Sequence, residues 1–255
     1  MRRALSLPML PMDQSSSLGQ QAMIYLIDKH NRHAYTQQLE EMFRIRHDIY
    51  VGRRGWKALA KPDGRDVDQF DGDDTIYLLG LDNAGSVQSG LRLNPTTGPH
   101  LIRDVFPHAV TFADIPVSEN IYEFTRYFVV PERVERMKRR SAAGELLVAM
   151  FEYGLLTGLT QFSLLCDAFF ISTALEMRWK LKPLGLPTTY DEGTCIAILF
   201  DVSYEAADTT RYVRGVKGPV LAYSPTPPPH AANDNQHDRS ARLRMLANTE
   251  TCALV

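Results

Sequence analysis

The chain has 255 residues, 44% of them hydrophobic and 23% charged, with a formal net charge of −2 at pH 7. These are the values of an ordinary soluble globular protein; they exclude bulk disorder, collagen and coiled coil, and leave no global field to steer the chain onto nucleic acid or an anionic membrane. With unpromising ends set aside, about 190 residues remain, enough for one well-buried core.

The first segment, MRRALSLPMLPM, begins basic and apolar but is interrupted by Pro8 and Pro11 and lacks a clean small-x-small cleavage site, so it is not read as a signal peptide. No apolar run approaches the ~20 residues of a membrane span. Met23 stands directly before the first strand-like run and offers an alternative start; residues 1–22 are expected to be a disordered or mis-assigned extension. Residues 23–28 predict a strand. Thr36 predicts an N-cap for a helix whose apolar positions Leu39, Met42, Phe43, Ile45, Ile49 and Tyr50 keep helical spacing. Residues 51–74 show no period and contain Gly52, Gly55, Pro62, Gly64 and Gly72. Loops this long inside compact domains are functional or disordered. Its end, residues 63–74, holds six Asp against one Arg.

Strands over 75–81 and 86–93 are joined by the turn Asp82-Asn83-Ala84-Gly85. A short helix over 100–106 stops at Pro107, and 121–130 is the strongest strand of the chain, closed by Pro131. Five basic and two acidic residues occupy 132–140. A helix over 141–158, a strand over 161–166, a helix over 168–180 and a last strand over 194–202 follow. From 216 to 255 the Pro-rich, polar sequence predicts a disordered tail. Residues 23–215 therefore read as one α/β domain with a mixed sheet. No Gly-rich dinucleotide fingerprint and no GxxxxGK[ST] occurs. Cys166, Cys195 and Cys252 lack CxxC spacing, which argues against a disulfide framework or a zinc site and for a cytoplasmic protein.

Several charges stand where a bland domain would avoid them. Arg46 interrupts the apolar helix, Arg92 lies between Leu91 and Leu93, and Glu123 and Arg126 sit in the strongest strand. Trp56 is in a Gly-flanked loop, and Asp68 and Asp71 lie in the acidic stretch. Charges embedded in apolar elements imply ion pairs or a ligand, and these residues alone leave a purely structural Asp–Arg network open.

Arg46, Tyr50, Trp56, Asp68-x-x-Asp71, Arg92 and Glu123-x-x-Arg126, with the runs SGLRLNPTTGPHLI and IYEFTRYFV, resemble the LuxI-type acyl-homoserine-lactone synthases over residues 23–205. The resemblance implies an N-acetyltransferase-like (GNAT-like) fold with a cleft between two splayed strands. It implies transfer of an acyl group from acyl-CoA or acyl carrier protein to the amine of S-adenosylmethionine. Lactonisation then releases methylthioadenosine and a quorum-sensing signal. No tightly bound cofactor, nucleic acid or membrane is implied; the partners are the small-molecule substrates and, as one carrier option, acyl carrier protein. Two other readings stay open: an N-acyltransferase for another amine, and a non-catalytic S-adenosylmethionine-binding member of the family.

Amide formation needs a neutral amine, and a carboxylate can take its proton. Glu123 is the candidate base, unless it merely pairs with a neighbouring Arg; Arg126 is grouped with it. Three apart, they face opposite sides of a regular strand, so they have different tasks unless a bulge brings them together. Within the S-adenosylmethionine pocket that the resemblance implies, Trp56 is expected against the sulfonium or adenine, or else in loop packing. Arg46, Arg92 and Arg126 would pair a carboxylate or hold Asp68 and Asp71, with Tyr50 shaping the same pocket. Arg139-Arg140-Ser141-Ala142-Ala143-Gly144 looks like a degenerate acetyltransferase pyrophosphate loop, which puts Arg139, Ala142 and Gly144 at the carrier phosphate. The alternative is an ordinary helix start, and Arg133, Arg136, Lys138 and Arg139 suit docking of an acidic carrier protein equally. Tyr122, Phe151 and Phe162 are candidates for an acyl pocket taking a short branched or aryl chain on coenzyme A, with core packing as the competing account of the Phe residues. The chain departs from the family pattern at Tyr50 for Phe, Tyr122 for Trp, Arg178 for Gly, and by one extra residue between Trp56 and Asp68.

Overall fold

The computed structural model describes residues 23–134, 139–190 and 193–227. In chain order the elements are β1 (Ile24–Ile27), α1 (Thr36–His47), β2 (Ile76–Leu81), β3 (Val87–Pro95), α2 (Leu101–Asp104), β4 (Ile121–Val129), α3 (Arg139–Thr157), β5 (Gln161–Asp167), α4 (Ala168–Glu176), β6 (Leu181–Pro183), β7 (Thr188–Tyr190), β8 (Gly193–Asp201), α5 (Tyr204–Arg214) and β9 (Leu221–Tyr223). The strands make one mixed sheet in the order β6-β8-β5-β4-β3-β2-β1-β9, with β7 attached to β8. The expected mixed α/β domain is what forms.

Strand alternation separates two cores. Phe124 and Tyr127 of β4 and Ile196, Ile198 and Phe200 of β8 face α3, whose residues from Leu146 to Phe151 are all fully buried. A helix apolar on every side must be covered all round, and α3 lies between the sheet and α5. The opposite face carries Leu79, Phe128, Leu165, Cys195, Ala197 and Leu199 beneath Met42 and Ile45 of α1 and Leu101 and Ile102 of α2. Charges accumulate on this second face.

Several boundaries differ from the sequence reading. Tyr35, not Thr36, occupies the N-cap of α1 and makes no side-chain cap bond. A π-helical turn over Asp48–Arg53 then takes the first residues of the expected loop, and a 3₁₀ turn over Lys57–Leu59 follows. α5, β6 and β7 were not expected. The sheet also runs past residue 215: β9 pairs in parallel with β1, and Glu152 of α3 accepts the N–H groups of Val220 and Leu221. The rest of the expected tail, from residue 228, and the N-terminal segment 1–22 lie outside the described residues. Arg178 adopts φ 59°, a left-handed conformation that a Gly would take without a Cβ penalty. That is the physical meaning of its departure from the family pattern.

Two irregularities in β4 position the site. β4 and β5 pair only at Ile121–Gln161, Tyr122–Phe162 and Glu123–Ser163. Beyond Glu123, β4 stays with β3 and β5 stays with β8, so the two strands part. The β3–β4 register also shifts between Gly90, which faces Phe128, and Arg92, which faces Thr125. This is a β-bulge on β4, and Arg126 within it has φ 53°. The extra residue turns Arg126 onto the face of Glu123 and Thr125.

Candidate active site

Three arginines and three aspartates interlock on the second face. Arg46 places Nε 2.9 Å from Asp66 and grips both oxygens of Asp71 at 2.8 and 3.0 Å. Arg126 reaches Asp66 at 2.8 Å and Asp68 at 3.0 Å. Arg92 reaches Asp68 at 2.6 Å and Asp71 at 3.0 Å, and its Nε donates to Thr125 at 3.0 Å. Tyr77 donates to Asp71 at 2.9 Å. Burial pushes the Asp71 carboxyl up, but the Arg92 and Arg46 guanidiniums outweigh it and hold the group well below the usual range; Asp66 is held down in the same way by Arg126 and Arg46. Asp68, at 12% side-chain exposure, is the most accessible member; Arg46 and Asp71 are at 1%. Arg46 therefore acts inside the network. Asp66, Tyr77 and Thr125 are members that sequence reasoning missed. Asp66 was one of six aspartates in a segment without period, and only the α1 to β4 contact singles it out.

Glu123 is fully buried and forms no ion pair among the described residues. Its oxygens accept the N–H groups of Leu101 at 2.7 Å and Ile102 at 2.8 Å, the first residues of α2. Burial raises its carboxyl to about 7, against the lowering effect of those two N–H groups and of Arg92. The salt-bridge alternative is thus replaced by a backbone cradle. Both sequence possibilities hold for Glu123 and Arg126: the bulge puts them on one face, yet their partners differ.

Glu123 is flanked in register by Asn94 on β3 and Ser163 on β5. Paired residues on adjacent strands project to the same side. Four buried polar atoms in this neighbourhood have no hydrogen-bond partner among the described residues: Arg92 Nη2, Asn94 Nδ2, His100 Nε2 and Ser163 Oγ. Buried polar groups are nearly always paired, so such a cluster beside one carboxylate marks a place for a polar ligand. His100 precedes α2; its Nδ1 lies 3.1 Å from the Gly98 carbonyl, and burial pushes the imidazole down.

Aromatic rings cover the same face near the parted strands. Tyr50 stacks on Trp56 at 4.9 Å and 20°, with the Arg126 guanidinium 5.0 Å from the Tyr50 ring and that of Arg54 5.3 Å from Trp56. Burial pushes the Tyr50 hydroxyl up to about 12, and that hydroxyl donates to the Tyr127 carbonyl at 3.2 Å. Tyr190 meets the edge of Trp56, and Phe106 meets Tyr190. Trp56 itself is 6% exposed.

Other expected site residues lie elsewhere. Phe151 and Phe162 are fully buried in the aromatic cluster with Trp179 and Phe200, and Tyr122 packs against Tyr153. All three are on the α3 face, opposite Glu123, because Tyr122 and Phe162 are one residue out of phase with Glu123 and Ser163. Gly144 is the sixth residue of α3, beyond the first turn whose N–H groups alone lack an intrahelical acceptor. A Cβ there would overlap Arg214 of α5, so Gly144 serves the contact between the two helices. Ala142 lies in the first turn of α3. The side chain of Arg139, with Arg136 and Lys138, falls outside the described residues. Among the described residues, no group of side chains could hold a metal ion and no helix is long and apolar enough to cross a membrane.

A family model described as autoinducer synthase matches residues 30–210. Isovaleryl-homoserine lactone synthase of Bradyrhizobium diazoefficiens is 38% identical over 187 residues, covering 73% of this chain and 83% of that protein. An acyl-homoserine-lactone synthase of Rhizobium etli is 27% identical over 193 residues, covering 74% and 89%. Among solved structures, the CoA-dependent acyl-homoserine lactone synthase BjaI, with S-adenosylmethionine and isopentyl-CoA, superposes with a TM-score of 0.73 at 35% identity, covering 80% of this chain and 93% of that one. The CoA-dependent synthase MesI gives 0.71 at 37% identity, covering 78% and 98%.

Proposed function

Because the chain belongs to the autoinducer synthase family, and is on that ground an acyl-homoserine-lactone synthase, we propose that it takes its acyl group from coenzyme A, that the group is a short branched or aryl chain, and that Glu123 is the base. The similarity to two CoA-dependent synthases supports the carrier, and the similarity to an isovaleryl-homoserine lactone synthase supports the acyl class. The observation that carries the site assignment is the buried Glu123 carboxyl, raised to about 7, at the point where β4 and β5 part and in register with Asn94 and Ser163, whose polar atoms lack a partner among the described residues.

The reaction follows from that placement. The amine of S-adenosylmethionine gives a proton to Glu123, whose affinity near neutrality suits a general base. The amine lone pair attacks the thioester carbon; the tetrahedral intermediate collapses, the C–S bond breaks, and the thiolate leaves with a proton. The methionine carboxylate then attacks its own γ-carbon, closing the lactone as methylthioadenosine departs with the sulfonium electrons. This second step asks the protein chiefly for positioning. The aspartate–arginine network holds the 66–71 segment against β3 and β4 and leaves Asp68 as its most exposed member.

The test is a two-channel assay of the purified protein with S-adenosylmethionine and a panel of acyl-CoAs, following free thiol and, by mass, methylthioadenosine and lactone. Thiol and lactone rising together for isovaleryl-CoA or an aryl-CoA is the expected result. Thiol released only with another amine present points to the general acyltransferase; turnover only with acyl carrier protein overturns the CoA assignment.

A further inference from the structure

Asn94 occupies the position between RL and PT of the signature run. It lies directly across from Glu123 on the neighbouring strand and is 2% exposed. As placed, its Oδ1 accepts from Thr75 Oγ1 at 2.9 Å and its Nδ2 has no partner among the described residues. Thr75 Oγ1 also lies 2.8 Å from the carbonyl oxygen of Phe70.

A hydroxyl has one proton, and the two ends of an amide are told apart only by the network around them. With the amide oxygen toward Thr75, the hydroxyl can satisfy either that oxygen or the Phe70 carbonyl, so one bond forms. With the amide nitrogen toward Thr75, the hydroxyl donates to Phe70 and accepts from Asn94, so two bonds form. The second arrangement leaves fewer buried groups unpaired, and it turns the Asn94 Oδ1 into the unpartnered end. The group beside Glu123 is then an acceptor, anchored through Thr75 to the segment that carries Asp68 and Asp71.

An acceptor next to a carboxylate suits a donor-rich ligand group. We propose that Asn94 is a substrate-binding residue that holds the amine of S-adenosylmethionine, its Oδ1 accepting one N–H while Glu123 takes another proton. Proton transfer to Glu123 leaves the nitrogen lone pair facing that carboxyl, and a turn about the Cα–N bond brings it to the acyl carbon while Asn94 keeps hold of an N–H. This rests on the function proposed above; the binding experiment that follows does not require turnover.

The experiment is calorimetric titration of the wild-type protein and of Asn94→Leu with S-adenosylmethionine, and separately with methylthioadenosine, which has no amine. Asn94→Leu is expected to weaken S-adenosylmethionine ~10–100-fold, the range for losing one hydrogen bond to a charged group. Methylthioadenosine binding is expected to stay within about 2-fold, since neither partner of that bond is involved. Asn94→Asp keeps an oxygen in place and is expected to restore most of the affinity for S-adenosylmethionine. Should Asn94→Leu fail to fold, Asn94→Ala carries the same comparison. Equal losses for both ligands, no loss for either, or an Asp variant as weak as the Leu variant overturns the proposal, as does a wild-type protein that binds no S-adenosylmethionine. A wild type that binds it but forms no lactone overturns the function and leaves Asn94 as a ligand residue.

Discussion

Replacing Arg46 by Met, similar in length but uncharged, takes one of three cations out of a six-member buried network. Three hydrogen bonds go with it, one to Asp66 and two to Asp71. Removing one partner of a buried pair costs about 3–5 kcal/mol. Asp66 keeps Arg126 at 2.8 Å, and Asp71 keeps Arg92 at 3.0 Å and Tyr77 at 2.9 Å, which places Arg46→Met at the lower end, ~3 kcal/mol. For a domain of this size the melting temperature moves about 2–4 °C per kcal/mol, so a fall of roughly 6–12 °C is expected. The sign with pH also follows. Asp66 and Asp71 are held below their usual range in the folded protein, so they contribute stability above that range and lose it as pH falls through their depressed values. Without Arg46 both rise, so the gap between wild type and variant is widest near neutrality and narrows below about pH 4. Urea unfolding at several pH values measures this. A loss under ~1 kcal/mol, as at an exposed ion pair, or a gap unchanged between pH 7 and pH 3, refutes the buried-network reasoning. The double variant Arg46→Met with Asp71→Asn, which restores two cations against two anions, is expected to recover part of the loss.

Glu123→Gln is expected to lower lactone formation ~10²–10⁴-fold, the usual worth of a positioned base, with S-adenosylmethionine still bound. In the wild type kcat/KM is expected to rise with pH through a midpoint near 7, as the carboxyl ionises, and to level off above it; a profile flat from pH 5 to 8 removes Glu123 from the base role. Its contribution to stability has the opposite sign to that of Asp71: it is full below the usual glutamate range and lost as pH rises through about 7. Gly144→Ala forces a Cβ into Arg214, and overpacking of about 1–3 kcal/mol is partly offset by a helix-propensity gain of ~1 kcal/mol. Thermal unfolding is expected to show a modest net loss while the KM for acyl-CoA stays put. A raised KM with unchanged stability would return Gly144 to the carrier site.

What the sequence shows and what it hides divide along physical lines. Alternation in IYEFTRYFV and the Pro131 stop are local signals, and β4 appears where they place it. The buried charges were equally visible, because an Arg between two leucines has no bland explanation. The bulge at Arg126 was hidden, since a register shift is a property of two strands and no residue type in β4 announces it. Asp66 was hidden among its acidic neighbours until α1 and β4 brought Arg46 and Arg126 to it. α5 carries local signals at both ends: Ser203 caps it by accepting from Ala206 N–H at 3.1 Å, and Gly215 ends it at φ 69°. The aromatic residues are the least legible. Phe151 and Phe162 look the same in a core as in a pocket, and the phase of β5 against β4 shows only that Phe162 and Glu123 lie on opposite faces of the sheet.

The pairing of β9 with β1 sets a timetable for the nascent protein. The first strand is flanked by β2, which follows about fifty residues later, and by β9, made nearly two hundred residues later. Until Val220 and Leu221 reach Glu152, β1 presents an unpaired edge that other chains can join. Contacts of such long sequence separation also slow folding. Fusions or truncations made near residue 220 therefore act on the opposite end of the chain, and solubility during synthesis will report on them before activity does.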